Sequence, residues 1–256
     1  MISVLIPTRN RPDLLKQCVE SLLAALDGIK VSSLVVWDNG DDDETKIVTG
    51  LNGMKRLSTG QNESYSRSMN LASQQAKGDL LLLNNDVFLT PGCISSMLRA
   101  LKEGCEVVGA KLLYPQGAVQ HCGVGFSRDY MPFHIGRHEA PDSPWCSMDR
   151  VLAATTFACV LIKRNLWETL GGLDEEYFYS FEDIDFCLRA REVGAVVGVV
   201  HDAVAVHLEA QTQGRSDNDA RNWEVFTKKW INTGRIYAAL GVWPQWTMLG
   251  LSGSRG

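Results

Sequence analysis

The sequence lacks cysteines at paired spacing, a long apolar run, an excess of basic residues and a glycine-rich phosphate motif. Each absence closes a class of function. The seven cysteines (Cys18, Cys93, Cys105, Cys122, Cys146, Cys159 and Cys187) are scattered singly. That pattern excludes a structural zinc module and predicts reduced, mostly buried thiols in a cytosolic protein. No segment approaches the ~20 consecutive apolar residues that cross a bilayer. The first apolar run is only a strand long and charged residues follow it, so no secretory leader is expected at the amino end. The formal net charge is −5 and no basic cluster reverses it, so nucleic acid is not an expected partner. No G-x-G-x-x-G joins the first strand to the first helix, and no phosphate-loop Gly-Lys-Ser/Thr is present. Nicotinamide and kinase chemistry therefore lack their phosphate cradle. A phosphate bound here would need a metal ion to neutralise its charge, with Arg9 or Arg67 assisting.

What remains is an ordinary globular composition, 45% hydrophobic and 21% charged over 256 residues. It fits one large domain, or a core domain with an extension. Ile2 to Thr8 predicts a buried strand leaving through Pro7, and Pro12 predicts the start of a helix whose Leu14, Cys18 and Leu22 fall four apart. Leu34 to Asp38 predicts a second strand and Asp41 to Val48 a short helix. A third strand is expected near Met54 to Leu57, and a helix over Ser64 to Gln75. The run Leu80-Leu81-Leu82-Leu83 is too short for a helix between Gly78 and Thr90-Pro91-Gly92, so it predicts a fourth strand. Alternating strand and helix predicts a parallel, doubly wound α/β sheet.

Such sheets keep ligands at the carboxyl ends of their strands. Thr8, Asp38 and the triplet Asn84-Asn85-Asp86 would all open on that edge, forming a nucleotide-sized crevice with several acids and few bases. One carboxylate with two amides suits a partly hydrated divalent cation shared with a phosphate. Simple turn formation at the end of a strand accounts for the triplet equally well.

The second half loses the alternation. A helix over 93–103 and a strand over Val107 to Leu112 continue the core. Gly117 to Pro144, rich in Gly, Pro, His and aromatics, reads as an excursion over the site. Val151 to Lys163 is a core segment, followed by a helix that stops at Gly171-Gly172. Six acids then fall between Asp174 and Asp185, interleaved with aromatics. Ser180 could cap a helix with Asp183 as its capping-box acid. Asp183 and Asp185 are either first-turn acids favoured by the helix dipole or a carboxylate pair facing the crevice, one of which takes a proton. Two short strands, Ala195 to Val200 and Ala203 to His207, are expected next. His207 then enters a polar loop as either a packed residue or a ligand. A helix over Asn218 to Tyr237 carries an aromatic stripe best explained by core packing. The tail from Val242 to Trp246 is open to contact with a partner or a membrane surface.

Taken together, these motifs resemble the inverting glycosyltransferases of family 2, which have the glycosyltransferase A fold. The similarity covers nearly all of residues 1–230. It rests on Val4-Leu5-Ile6-Pro7-Thr8-Arg9-Asn10, Val35-Val36-Trp37-Asp38-Asn39-Gly40 and Leu83-Asn84-Asn85-Asp86. Further along it rests on Gly171-Gly172-Leu173-Asp174-Glu175 with Phe178, on Glu182-Asp183-Ile184-Asp185, and on His207 with Gly214 and Ser216. Phe226 to Trp230 is also similar to a subset that includes rhamnosyltransferases.

The resemblance implies a Rossmann-like, mostly parallel sheet flanked by helices, with an acceptor-side extension. Residues 1–215 would form the catalytic domain, with a nucleotide-binding half at 1–112 and an acceptor half at 113–215. Residues 216–256 would form a helical extension. Pro7, Thr8, Arg9, Asp38, Asn62, Arg67, Asn84 and Asn85 would bind the nucleotide, and Asp86 and His207 would hold Mn²⁺ or Mg²⁺. Asp183 would be the general base, with Gly172, Asp174 and Glu182 near the donor sugar or acceptor. The implied donor is a dTDP- or UDP-linked sugar. The implied acceptor is a glycan or lipid-linked glycan, modified in the cytoplasm with peripheral contact at the inner face of the membrane.

Two departures stand out. The family's Asp-x-Asp is Asn84-Asn85-Asp86 here, and its Asn-x-Gly is Asn62-Glu63-Ser64. The lost acid at Asn84 motivates an alternative, a non-catalytic relative that binds nucleotide-sugar or glycan. A nucleotidyltransferase would need a basic loop near the first strand, where Arg9 and Arg11 are the only candidates.

Overall fold

Pro12 opens α1 (Pro12–Leu26), and the four-residue stripe buries Leu14, Leu15, Cys18, Val19 and Leu22 as its period demands. In the computed structural model, which describes residues 1–51, 53–209 and 218–241, this helix follows β1 (Ile2–Thr8). It leads into β2 (Val31–Asp38), α2 (Asp43–Leu51), β3 (Lys55–Leu57), α3 (Tyr65–Ser73) and β4 (Asp79–Leu83). β1 pairs in parallel with β2 on one side and β4 on the other, and β2 with β3. The first half is therefore the parallel layer that the alternation predicts.

The second half adds β5 (Val87–Leu89), α4 (Cys93–Lys102), β6 (Val107–Leu113), β7 (Val119–His121), β8 (Val124–Phe126) and β9 (Pro132–His134). β10 (Arg150–Val151), β11 (Cys159–Ile162), α5 (Arg164–Leu170), α6 (Glu182–Glu192) and β12 (Val197–His207) follow. The chain then forms α7 (Asp219–Phe226), a π-helical turn (Thr227–Ile231) and α8 (Arg235–Gly241). The ten-stranded sheet runs β10-β12-β6-β11-β4-β1-β2-β3, with β5 on β12 and β7 on β6. β11 enters antiparallel between β4 and β6, so the sheet is mixed. The excursion contributes β7 to this sheet and folds β8 and β9 into a separate hairpin. The two short strands expected up to His207 are one strand, irregular between Val200 and Val204. The expected helix to Tyr237 is broken by the π turn and by Gly234 at φ +73°.

The central strands are buried on both faces, which is why they read as unbroken apolar runs. Leu5, Leu80 and Leu82 face a core shared with Trp167, Phe186 and Trp230. Val4, Ile6, Leu81 and Leu83 face a second core shared with Leu15, Leu22 and Met97. This alternation is the two-residue period of a strand. All seven cysteines are buried free thiols. Among the described residues, no helix is long and apolar enough to cross a membrane.

Candidate active site

The polar end of the leucine strand is a sharp turn. Asn84 N donates to Ala158 O at 2.9 Å and Val87 N to Asn84 O at 3.2 Å, which ends β4 and redirects the chain. It re-enters the sheet as β5, antiparallel to β12, with Val87 opposite His207. Asp86 is thereby set beside His207: Leu208 N donates to Asp86 O at 3.1 Å, and His207 Nε2 lies 3.3 Å from Asp86 Oδ1. Both side chains are buried.

Gln120, one residue into β7, fixes the ring. Its Nε2 donates to His207 O at 3.3 Å, so its Oε1 is the atom that meets His207 Nδ1 at 2.6 Å. An amide oxygen only accepts, so Nδ1 carries a proton and Nε2 is the ring atom turned toward the Asp86 carboxylate. Two electron-rich atoms so close, both out of water, call for a cation or a proton between them. Asn84 Oδ1 is also buried and has no hydrogen-bond partner among the described residues. A carboxylate, an imidazole nitrogen and an amide oxygen form a donor set that fits Mn²⁺ or Mg²⁺.

Asn84, Asn85, Asp86 and His207 line a cavity of about 520 Å³, within the usual range for a small-molecule site. The carboxyl end of β1 forms one wall through Pro7, Thr8 and Arg9, and Asn85 Nδ2 donates to Thr8 Oγ1 at 2.9 Å. Glu182 and Asp183, in the first turn of α6, line the same cavity. Asp183 is half-buried, and its Oδ1 accepts from Ile184 N at 2.8 Å. The cavity thus brings together a candidate cation pair and a candidate base.

The acidic stretch separates into two roles. Asp183 faces the cavity, whereas Asp185 is fully buried and accepts from Arg189 Nε at 2.7 Å and Trp230 Nε1 at 2.8 Å. Lys229 Nζ sits 2.8 Å from the same carboxylate, which makes Asp185 the anchor between α6 and the following helices. They are not a pair. Ser180 does not cap α6; the residue before the helix is Phe181, in left-handed backbone, and the Ser180 hydroxyl donates to Asp219 Oδ1 at 3.0 Å.

Several other expected residues stand away from the cavity. Asp38 is completely buried and does not line it; its oxygens accept from Gly40 N at 2.8 Å and Arg56 Nε at 2.7 Å. Arg67 is drawn to Glu63 at 3.0 Å and Glu175 at 3.2 Å rather than toward a phosphate. Asn62 is exposed outside the lining and meets the hydroxyl of Tyr179, which does line it. Asp174 pairs with Lys229 at 2.5 Å. Gly172 is a backbone device: it has φ +78°, and an added Cβ would lie 2.4 Å from Asn70 Oδ1. Gly214, Ser216 and the tail from Val242 lie outside the described residues.

The sequence reading missed Gln120 and His134, both in the excursion from Gly117 and both in the cavity wall. The excursion's composition was the available signal, but nothing in it singled out those two positions. Burial holds the His134 imidazole below its ordinary pKa, with nearby Asp183 pulling the other way. Asp149, His201 and Asp202 also converge, away from the cavity. Arg99 supplies their counter-charge, 3.4 Å from Asp149 and 3.1 Å from Asp202.

Residues 3–142, over half of the chain, match the sequence profile described as glycosyl transferase family 2. The chain belongs to that family. Within it, this family 2 chain is 32% identical over 234 residues to the uncharacterized protein y4gI of Sinorhizobium fredii, covering 85% of the chain and 25% of that protein. It is 31% identical over 225 residues to the O-antigen biosynthesis protein RfbC of Myxococcus xanthus, covering 83% and 18%. A third relative is the N-acetylglucosaminyl-diphospho-decaprenol L-rhamnosyltransferase of Mycobacterium tuberculosis, 27% identical over 215 residues and covering 72% and 68%. The chain thus spans a quarter or less of the first two relatives. Its fold is similar to the crystal structure of GalNAc-T7 with UDP, GalNAc and Mn²⁺, at a TM-score of 0.75 and 14% identity, covering 91% of this chain and 49% of that one. The glycosyltransferase A fold of this family 2 chain is the one its motifs implied.

Proposed function

We propose that the protein is a metal-dependent inverting glycosyltransferase that moves a sugar from a nucleoside-diphosphate donor to a hydroxyl of a glycan or glycolipid acceptor. One observation carries the reading: the Asp86–His207 pair and Asp183 line a single cavity. Inversion needs one in-line displacement, hence one base and no protein nucleophile. Asp183 takes the proton from the acceptor hydroxyl, that oxygen bonds to the anomeric carbon, and the nucleoside diphosphate leaves with the electron pair of the broken bond. Asp86, His207 and Asn84 would hold the cation, which when bound would supply positive charge to the diphosphate. Pro7, Thr8 and Arg9 line the end of the cavity suited to the nucleoside. Glu182 borders the acceptor side. Asp38 and Arg56 support the β2 edge beneath it.

The rhamnosyltransferase and O-antigen relatives favour a deoxyhexose donor and a lipid-linked acceptor in surface polysaccharide assembly, with work at the inner face of the membrane as part of the same reading. Replacing Asp183 by Asn tests the reading. Transfer should fall by about 10²–10⁴-fold, the usual worth of a positioned base, while the Mn²⁺-dependent thermal shift with UDP or dTDP persists. Near-normal transfer by Asp183→Asn, or a wild-type protein with no nucleotide shift, would reject it.

A further inference from the structure

Asp183 reaches the cavity through an unusual piece of backbone. Ser180 and Phe181, directly before α6, are successive non-glycine residues in left-handed conformation, at φ +74° and +69°. A conformation this costly persists only when its surroundings over-determine it. Neither a cap nor a glycine provides for it: α6 has no side-chain cap, and residues 173–181 contain no glycine.

α3 holds the start of the turn, with Tyr65 N donating to Phe178 O at 3.3 Å, and the other holding contacts come from α7. Asn222 is completely buried, and both ends of its amide are used on the turn. Its Oδ1 accepts from Phe178 N at 3.4 Å, and its Nδ2 donates to Tyr179 O and, at 3.3 Å, to Ser180 Oγ. Asp219 takes the Ser180 hydroxyl, and the Phe181 ring lies 5.8 Å from Trp223 and 5.3 Å from Phe226. Four consecutive residues, 178–181, therefore each touch this helix. The π turn that continues it is tied in turn to the body of α6, through Trp230 and Lys229 on Asp185.

We propose that Asn222 is a positioning residue that locks the 178–181 turn in its left-handed form and so presents Asp183 to the acceptor. Its catalytic consequence rests on the role given to Asp183 above. The amide is suited to the task because it accepts from an N–H and donates to a carbonyl and a hydroxyl at once. Aspartate keeps the acceptor and loses the donors, and leucine loses both.

The test uses the full chain with Asn222→Asp, Asn222→Leu and the double variant Asn222→Leu/Ser180→Gly. Hydrogen exchange is read over 178–186, alongside calorimetric binding of UDP and dTDP with Mn²⁺. Turnover is followed as Mn²⁺-dependent hydrolysis of UDP-N-acetylglucosamine and dTDP-L-rhamnose. Both single variants should speed exchange over 178–183 by about tenfold or more, since the turn then opens locally. Nucleotide affinity should stay within about twofold, and kcat should fall by about tenfold or more with donor KM little changed. Glycine at 180 accepts a positive φ without strain, so the double variant should recover exchange protection and several-fold of kcat over Asn222→Leu. A merely structural role predicts no such rescue.

Unchanged exchange over 178–183 overturns the clamp, as does a kcat loss that glycine at 180 fails to relieve. If Asn222→Leu does not fold, Asn222→Asp carries the same readings. Faster exchange in the Asn222 variants together with a fully active Asp183→Asn would overturn the role of Asp183 and leave the clamp standing.

Discussion

His207 Nε2 lies 3.3 Å from Asp86 Oδ1 because Val87, the residue after Asp86, pairs with His207 across two strands. The contact belongs to the sheet register, so its partners are held before any ligand arrives. Gln120 adds the last constraint by seating a proton on Nδ1 of the ring.

Loss of Gln120 should therefore be felt at the proposed cation site. For Gln120→Ala, Mn²⁺ affinity measured by calorimetry in the presence of UDP is expected to weaken by about 10–100-fold, the usual cost of losing an outer-shell partner. Affinity equal to wild type would show that the ring needs no such support.

Asp38 and Arg56 should matter first for stability. Asp38 is fully buried while the Arg56 side chain keeps 28% of its surface exposed, so Arg56→Met leaves a buried carboxylate with the Gly40 N–H as its remaining partner among the described residues. A loss of up to about 3 kcal/mol in urea unfolding is expected. Asp38→Asn should also destabilise, by about 1.5 kcal/mol or more. A stable Asp38→Asn that has lost nucleotide binding would return this residue to the direct role that the resemblance gives it.

Gly172→Ala should destabilise without touching the cavity. Positive φ and an approach of 2.4 Å to Asn70 Oδ1 act together there. The Asn70 oxygen cannot simply withdraw, since it accepts from Leu173 N at 2.8 Å. Thermal unfolding should report a loss of about 1–3 kcal/mol, with nucleotide affinity preserved.

Acid should weaken the fold through His121. Its imidazole is completely buried, Nε2 stands 3.0 Å from Thr155 Oγ1, and burial pushes its pKa well below the ordinary value. Below about pH 6.5 the unfolded chain binds a proton that the folded protein refuses, so stability falls as pH falls. This contribution is fully present above that pH and is lost progressively beneath it, at up to about 1.4 kcal/mol per pH unit. His121→Gln should flatten the slope of unfolding free energy between pH 6.5 and 5. An unchanged slope would assign the acid sensitivity to other groups.

The glycosyltransferase A architecture of the first ninety residues was legible because each element is decided locally. Leu80 to Leu83 can only be a strand buried on both faces, and the stripe from Leu14 to Leu22 can only be a helix covering a sheet. The polar ends of these strands, Thr8 and Asn84 to Asp86, were legible for the same reason. The tertiary structure decided whatever depends on which distant segments meet. Sequence spacing could not separate Asp183 from Asp185, since both lie in the first turn of one helix. The pull of Arg189, Lys229 and Trp230 on Asp185 turns one inward, and the other faces the cavity. Nor could the sequence show a left-handed Ser180 and Phe181, because no local preference favours that backbone and contacts with distant segments, chiefly α7, sustain it. β11 is an apolar run like its neighbours, and its antiparallel entry follows from the order in which the strands pack. Periodicity determined the elements and their buried faces. Long-range pairing decided which polar side chains share a cavity, because each such contact joins segments that carry no mark of one another.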